Sequence, residues 1–470
     1  MKKALKIVFF LVVAVALGYY AYATYQHTAS VKGVVHQDAD AILKIGLQDI
    51  AETLALDALT APNYYLKNSK RRKTTTENET IDREMGVALT PHNLLLFSLP
   101  DIANTWFTTL TIQDKSAFED YLQQRFKERI SLVKTKASFT MAKENSSRSL
   151  LGWNGEKLIV AVGPALVMEQ VAHVFEELLT QGKFSVDTNE GLLEKAKETE
   201  GHLVFVDSTG ATSIRFVDGR AVVVGSHTTD TSFPTEALIP EFDKASFNVH
   251  YHQKFLSEKE RKGLAKRLSP ASFFAKNNLS WDSIANPLNG AISMAIKGRV
   301  LQTDTVITYA YNDNFEKVPQ KTETQNQVPR VHIRAQTRAK GVLAYLDRTQ
   351  TLTAEQIFTP FPLYQLQVRE YEGHVDISTD HQAQDMGTKR SSYFFQIRAN
   401  FKNLQEDLAI PQTQPLFSLL DNMDIHAWQP QENNIRIEGT VSGRNPEVNI
   451  LSQIFFGLRH NDHDSFQAEL

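Results

Sequence analysis

The sequence predicts an α+β protein: an N-terminal transmembrane helix followed by mainly antiparallel sheets covered by helices. Three observations predict it. Apolar runs meet at Asn154-Gly155 and again at Asp218-Gly219, and these dipeptides accept the positive φ angles of hairpin turns. Stretches of helical period separate the strand-like runs, as in Phe118, Leu122, Phe126 and Ile130. The N-terminus places Lys2, Lys3 and Lys6 before the apolar run Ile7 to Ala23, with no Lys, Arg, Asp or Glu until Lys32. In addition, 27 phenylalanines fit a β-rich body.

At about 1.5 Å per residue the apolar run makes a helix of roughly 26 Å, slightly short of a hydrocarbon core of about 30 Å. Tyr19, Tyr20, Tyr22 and Tyr25 would hold its end at the interface, and the basic start predicts a cytoplasmic N-terminus. Ala21 and Ala23 also form an A-x-A site for signal peptidase. The tyrosines favour an uncleaved anchor over cleavage, and both readings export the chain to the periplasm. The expected partner is therefore the membrane, through residues 7–23.

Val31 to Asp40 reads as a polar connector. Ala41 to Leu47 reads as a strand leading into a helix near Ile50 to Leu59, and Lys67 to Ile81 as a solvated loop. Strands are expected at Leu94 to Leu99 and Trp106 to Ile112. A helix should follow from Ser116 to Ile130, with Ser116 and Glu119 as a capping box. After the hairpin Ser149 to Gly163, Pro164 opens a helix with Val167, Val171, Val174, Phe175 and Leu178 inward, closed by Gly182. The second hairpin, Ser213 to Gly225, repeats the style of the first and hints at two related modules.

Further strands are expected at Phe247 to His252, Gly290 to Val300 and Thr303 to Tyr311, with a helix at Ser257 to Leu268. Glu316 to Val328 is polar and reads as an exposed loop or domain boundary. Six strands should follow, at Arg330 to Gln336, Tyr364 to Tyr371, His374 to Thr379, Tyr393 to Phe401, Asp424 to Gln429 and Ile435 to Ser442. Ile450 to Leu458 reads as a final helix. The implied domains are 1–25 (start and anchor), 26–38 (linker), 39–235 and 236–459 (two α+β modules) and 460–470 (polar tail).

The absence of cysteine excludes a lipoprotein anchor, disulfides, Fe–S clusters and Cys-based zinc sites. A net charge of −4 and a pI near 6.4 give no basic footprint for nucleic acid. No G-x-S-x-G, H-E-x-x-H, Walker or EF-hand pattern occurs, so no catalytic, cofactor or metal residue is nominated and no cofactor is expected. His250 and His252 share one face of a predicted strand and could share a metal, but no third ligand is apparent. Two polar residues on a solvated face is the better account. His460, Asp462, His463 and Asp464 could hold an ion only at a large ordering cost. Asp207, Ser208, Thr209 and Gly210 lack the paired Asp-Thr-Gly of aspartic proteases and read as a strand-ending turn.

The basic-apolar start, DADAILKIGL at 38–47, GWNGEKLIV at 152–160 and NIRIEGTVSGRNPEVNIL at 434–451 together resemble uncharacterised bacterial envelope proteins, a domain of unknown function. The resemblance carries over no site residue. The expected function is a non-enzymatic envelope interaction or scaffold module. The alternatives are a periplasmic binding module for a lipid or other apolar ligand and, third, an enzyme with an unrecognised site.

Overall fold

The structure is a computed structural model. It describes residues 33–69, 85–87, 93–126, 130–135, 138–144, 148–164, 166–185, 191–234, 236–240, 244–252, 273–285, 287–311, 315, 317–338, 340–382 and 387–467. The anchor over 7–23 and the helix at Ser257 to Leu268 lie outside these residues, as does the loop expected at Lys67 to Ile81 from residue 70 on, its first three residues being the end of a helix, Pro62–Ser69. The chain divides into two compact units, Met1–Phe216 and Val217–Leu470.

The first unit holds β1 (Ala41–Gly46), β2 (Asn93–Leu99), β3 (Ile102–Thr111), β4 (Ile130–Thr135), β5 (Thr140–Glu144), β6 (Ser149–Trp153), β7 (Lys157–Val162), β8 (Leu203–Asp207) and β9 (Gly210–Val217). Antiparallel pairings order them β4-β5-β6-β7-β3-β2-β1-β8-β9. Period-two alternation sends every second side chain to one face. Register therefore aligns Leu150, Ala161, Phe107, Phe97, Ile42 and Val206 as one lateral row across six strands. All six are buried, and the Phe97 and Phe107 rings stack at 5.7 Å. Helix α4 (Met168–Leu179) lays Val171, Val174, Phe175 and Leu178 on this row, and α5 (Leu192–Glu198) adds Leu193 and Ala196. The other helices of the unit are α1 (Leu47–Thr60), α2 (Pro62–Ser69) and α3 (Lys115–Phe126).

The second unit has β10 (Arg220–Thr228), β11 (Ala237–Pro240), β12 (Phe247–His252), β13 (Leu288–Tyr311), β14 (Lys317–Thr337), β15 (Gln367–Glu370), β16 (His374–Ser378), β17 (Thr388–Ser391), β18 (Phe395–Asn400), β19 (Leu420–Gln431) and β20 (Asn434–Gly443). Its sheet runs β10-β20-β19-β18-β12-β13-β14-β16-β15, again antiparallel throughout, and β11 pairs with β17 in a separate ribbon. Helices α6 (Phe273–Lys276), α7 (Trp281–Ala285) and α8 (Val342–Arg348), with Leu279 from the link between the first two, pack Phe274, Ile284, Val342 and Leu346 against Val368 and Val375. In each sheet the first strand of the central group, β1 or β12, sits between its successor, β2 or β13, and a late strand, β8 or β18.

The fold class expected from the sequence needs correction. Strand accounts for 46% and helix for 26% of the described residues, and each unit is an extended antiparallel sheet only part of which carries helices. Among the described residues no helix is long and apolar enough to cross a membrane, so the expected transmembrane helix is not among the observed elements. The physical reason for the strand excess lies in 288–337. The stretches expected as two paired strands, Gly290 to Val300 and Thr303 to Tyr311, form one strand, and the expected loop Glu316 to Val328 is, from Lys317 onward, part of its partner. Residues 321–327 are exposed, so no apolar alternation marks them as strand.

Smaller corrections have local causes. Asp114, not Ser116, caps α3, its Oδ1 accepting from Ala117 N at 3.0 Å, and Glu119 instead accepts from Trp153 Nε1 at 3.2 Å. Neither Asn154 nor Gly155 has positive φ. Asn154 Oδ1 accepts from the backbone N–H groups of Glu156 and Lys157, both at 2.8 Å, so a side-chain turn replaces the type I′ turn. Gly219 does take the positive φ, 66°, expected of its turn. The connector is packed from residue 33 onward, since Val35 joins the core and Lys157 Nζ donates to Gly33 O at 2.6 Å. The final helix, α11 (Ile450–Gln467), extends well into the expected polar tail. The remaining helices are α9 (Phe401–Leu408) and α10 (Gln414–Phe417).

Candidate functional site

The lateral row that is apolar in the first unit is matched in the second by a polar one. Asp376, Arg334, Ser293, His250, Gln396, His426 and Glu438 follow one another across β16, β14, β13, β12, β18, β19 and β20, each directly opposite the next. Beside it on the same face runs a second row, Ser378, His332, Ala295, Asn248, Arg398, Asp424 and Thr440. The same-face relation follows from the pleat, because the two rows are offset by two residues on every strand.

The band is buried at the β16 side and open at the β20 side. Arg334, Asp376, Ser293, His250 and Gln396 are buried, whereas Glu438 and Arg398 are exposed. Arg334 grips Asp376 bidentately, Nε to Oδ1 at 2.8 Å and Nη2 to Oδ2 at 2.7 Å. Burial alone would raise the Asp376 carboxyl, but the bonds and charges of Arg334 and His332 overcome it and hold the pKa down at about 2. His332 Nε2 lies 3.5 Å from the same carboxylate. Arg398 Nε donates to Asp424 Oδ2 at 3.0 Å, with His426 Nδ1 3.7 Å from Asp424 Oδ1.

His250 and His252 do share a strand face, with rings 6.3 Å apart and nearly perpendicular. They are not on a solvated face: His250 is 4% exposed and its Nδ1 meets Ser293 Oγ at 2.7 Å. Burial, with His252 adding a smaller effect, lowers the His250 pKa to about 4, so the imidazole is neutral near pH 7. Burial also lowers that of His252. Among the described residues no group of three or more His, Cys, Asp or Glu could hold a metal ion. Asp207 Oδ1 accepts from the N–H groups of Thr209 and Gly210 at 2.8 and 2.9 Å, the strand-ending turn expected there. His460, Asp462, His463 and Asp464 fall in α11, with side chains outside the described ones.

A second feature of this unit is a two-stranded arm. Residues 300–311 pair with 317–328 in continuous register, while β12 reaches only Ile296 and β16 only His332. At about 3.4 Å per residue the arm is roughly 40 Å long. Leu301 is 59% exposed, and Phe315, in the connection between the strands, 86%. A cleft of about 810 Å³ at its base is lined by Asp304, Glu355, Gln365, Gln367 and His381, among others. Neither the arm nor the rows carries a sequence motif. Their members are far apart in the chain, and only strand register joins them.

No family model matches the chain, and no curated protein matches it. Among solved structures it is similar to crystal forms III and IV of TP0453, at 10% and 9% identity. The matches cover 74% and 73% of this chain and 91% and 87% of that one, with TM-scores of 0.20 and 0.21. At such scores the likeness carries no argument about fold or function.

Proposed function

We propose that the chain is an exported, non-enzymatic interaction module of a bacterial envelope and that it engages a protein partner through the β13–β14 arm. The observation that supports this reading is the arm itself. Its strands are joined to one another and to no other described strand over residues 300–311 and 317–328, which leaves two outer edges for a partner strand. Phe315 and Leu301 add exposed apolar area that a partner could cover. The N-terminal sequence supports export.

A photoreactive amino acid placed at Phe315 or Leu301 in cells should yield a discrete heavier adduct with one envelope protein. The same label at exposed Glu432, away from the arm, should yield none. Absence of an adduct from both arm positions would remove the reading. Export is tested separately by a reporter fused after Thr180, and activity of a reporter that works only in the cytoplasm would overturn it.

A second reading, a carrier of an apolar ligand, is supported by Tyr251 and Ile292. They face each other across β12 and β13 and remain 37% and 41% exposed. Saturable binding of a fluorescent fatty acid, weakened by Ile292→Asp, would favour it.

A further inference from the structure

His250 occupies the centre of the polar row, and its ring has one satisfied nitrogen and one that is not. Nδ1 meets Ser293 Oγ at 2.7 Å, whereas Nε2 is buried with no hydrogen-bond partner. Two tautomers are available to the neutral ring. If Nδ1 carried the proton, the Ser293 hydroxyl hydrogen and the Nε2 lone pair would both lack partners. If Ser293 donates to Nδ1, only the Nε2–H is left over. Since each buried unsatisfied group costs about 1–3 kcal/mol, the second arrangement is preferred. His250 therefore presents an N–H donor that no side chain accepts.

A cavity of about 60 Å³ adjoins that ring, lined by His250, Ser293, Gln396, Arg398, Lys389 and Ile239, among others. Lys389 makes no side-chain hydrogen bond or ion pair among the described residues. Arg398 is balanced by Asp424 at 3.0 Å, and with its amide turned, Gln396 Oε1 accepts from Arg398 Nη2 at 2.9 Å. With His250 neutral, Lys389 and Arg398 against Asp424 leave one net positive charge at the cavity. At roughly 10–15 Å³ per water on this measure, the space takes a few waters or one small ion.

We propose that this cavity is a binding site for a small oxyanion of phosphate or carboxylate type. One anion oxygen accepts from His250 Nε2–H and another from the Lys389 ammonium, and the ribbon β11–β17, which supplies Ile239 and Lys389, closes the site from above the sheet. The recognition is by charge-assisted hydrogen bonds, which favour an oxyanion over chloride because separate oxygens meet separate donors. The site is independent of the arm, so its failure would leave the proposed docking role standing.

The test follows the His250 ring nitrogens by NMR in the full-length chain labelled at histidine, the signal being assigned by its loss in His250→Gln. Inorganic phosphate and acetate are titrated at constant ionic strength against chloride. A saturable shift of Nε2 with phosphate or acetate, absent with chloride, is expected. Lys389→Met should weaken it by about tenfold and Lys389→Arg should restore it. Which of the two anions binds tighter identifies the oxyanion. No saturable shift, an equal response to chloride, or a response unchanged in Lys389→Met would each overturn the proposal, leaving a cavity filled by water only.

Discussion

Gln302 and Gln365 clasp each other across the base of the β13–β14 arm. Gln302 Nε2 donates to the carbonyl oxygens of Gln365 and Thr379, both at 2.8 Å, and its Oε1 accepts from Gln365 N at 2.9 Å. In return Gln365 Nε2 donates to Thr303 O at 2.9 Å and to Asp304 Oδ1 at 3.1 Å. Gln302 is buried, so all of its amide's bonds are made away from water. The clasp fixes where the arm leaves the sheet.

Gln302→Leu should accordingly loosen the arm without unfolding the unit. It leaves two carbonyls and one N–H without partners, a cost of about 1–3 kcal/mol for each group that stays buried, less where water enters. Hydrogen exchange should accelerate over residues 300–305 and 323–328 while β12 and β18 of the same unit stay protected. Unchanged exchange in the arm would show that the clasp does not restrain it.

Stability should fall between pH 6.5 and 4. His250 titrates near 6.5 when unfolded and near 4 when folded, so the unfolded chain binds the extra proton first. Its contribution is complete above pH 6.5 and is lost as pH falls toward 4, by about 3 kcal/mol at 1.36 kcal/mol per pH unit. Asp376 acts lower. Its folded pKa of about 2 gives stability present above about pH 4 and lost as pH falls toward 2. Urea unfolding at pH 7.0 and 4.5 should show the first loss, and His250→Gln should flatten it. An unchanged slope in the variant would assign the window to other groups.

Arg334→Met should destabilise the second unit by about 3–5 kcal/mol, because Asp376 is left buried and charged. Replacing both, Arg334→Met with Asp376→Leu, should cost much less, since the penalty arises from the orphaned charge. Calorimetry of the two variants compares them directly. Equal losses would mean that packing, not charge, dominates at this pair.

Gly152→Ala should destabilise the first unit. A Cβ at Gly152 would run into the ring of Phe175, which is fully buried and cannot swing away. Overpacking of this kind costs about 1–3 kcal/mol. Recovery of the melting temperature in Gly152→Ala with Phe175→Leu would identify the clash, and an unaffected single variant would contradict it.

The sequence by itself determined the local elements. Alternation in Leu94 to Leu99 marks β2, the spacing of Val171, Val174, Phe175 and Leu178 marks the buried face of α4, though Val167, expected inward with them, precedes the helix and is 53% exposed, and Gly219 marks its turn. These signals are local, because side-chain period is set by backbone geometry. Where tertiary context replaced the local rule, the reading failed: Asp114 took the cap from Ser116, and the polar stretch from Lys317 became strand through cross-strand pairing. The candidate site was decided by tertiary structure alone. His250 and His252 could be placed on one face from their spacing, but not beside Ser293, Gln396 and Lys389, which register and the β11–β17 ribbon bring from 43 to more than 130 residues away. Whether a strand histidine faces solvent or a closed cavity depends on what lies above the sheet, and no period in the chain records that.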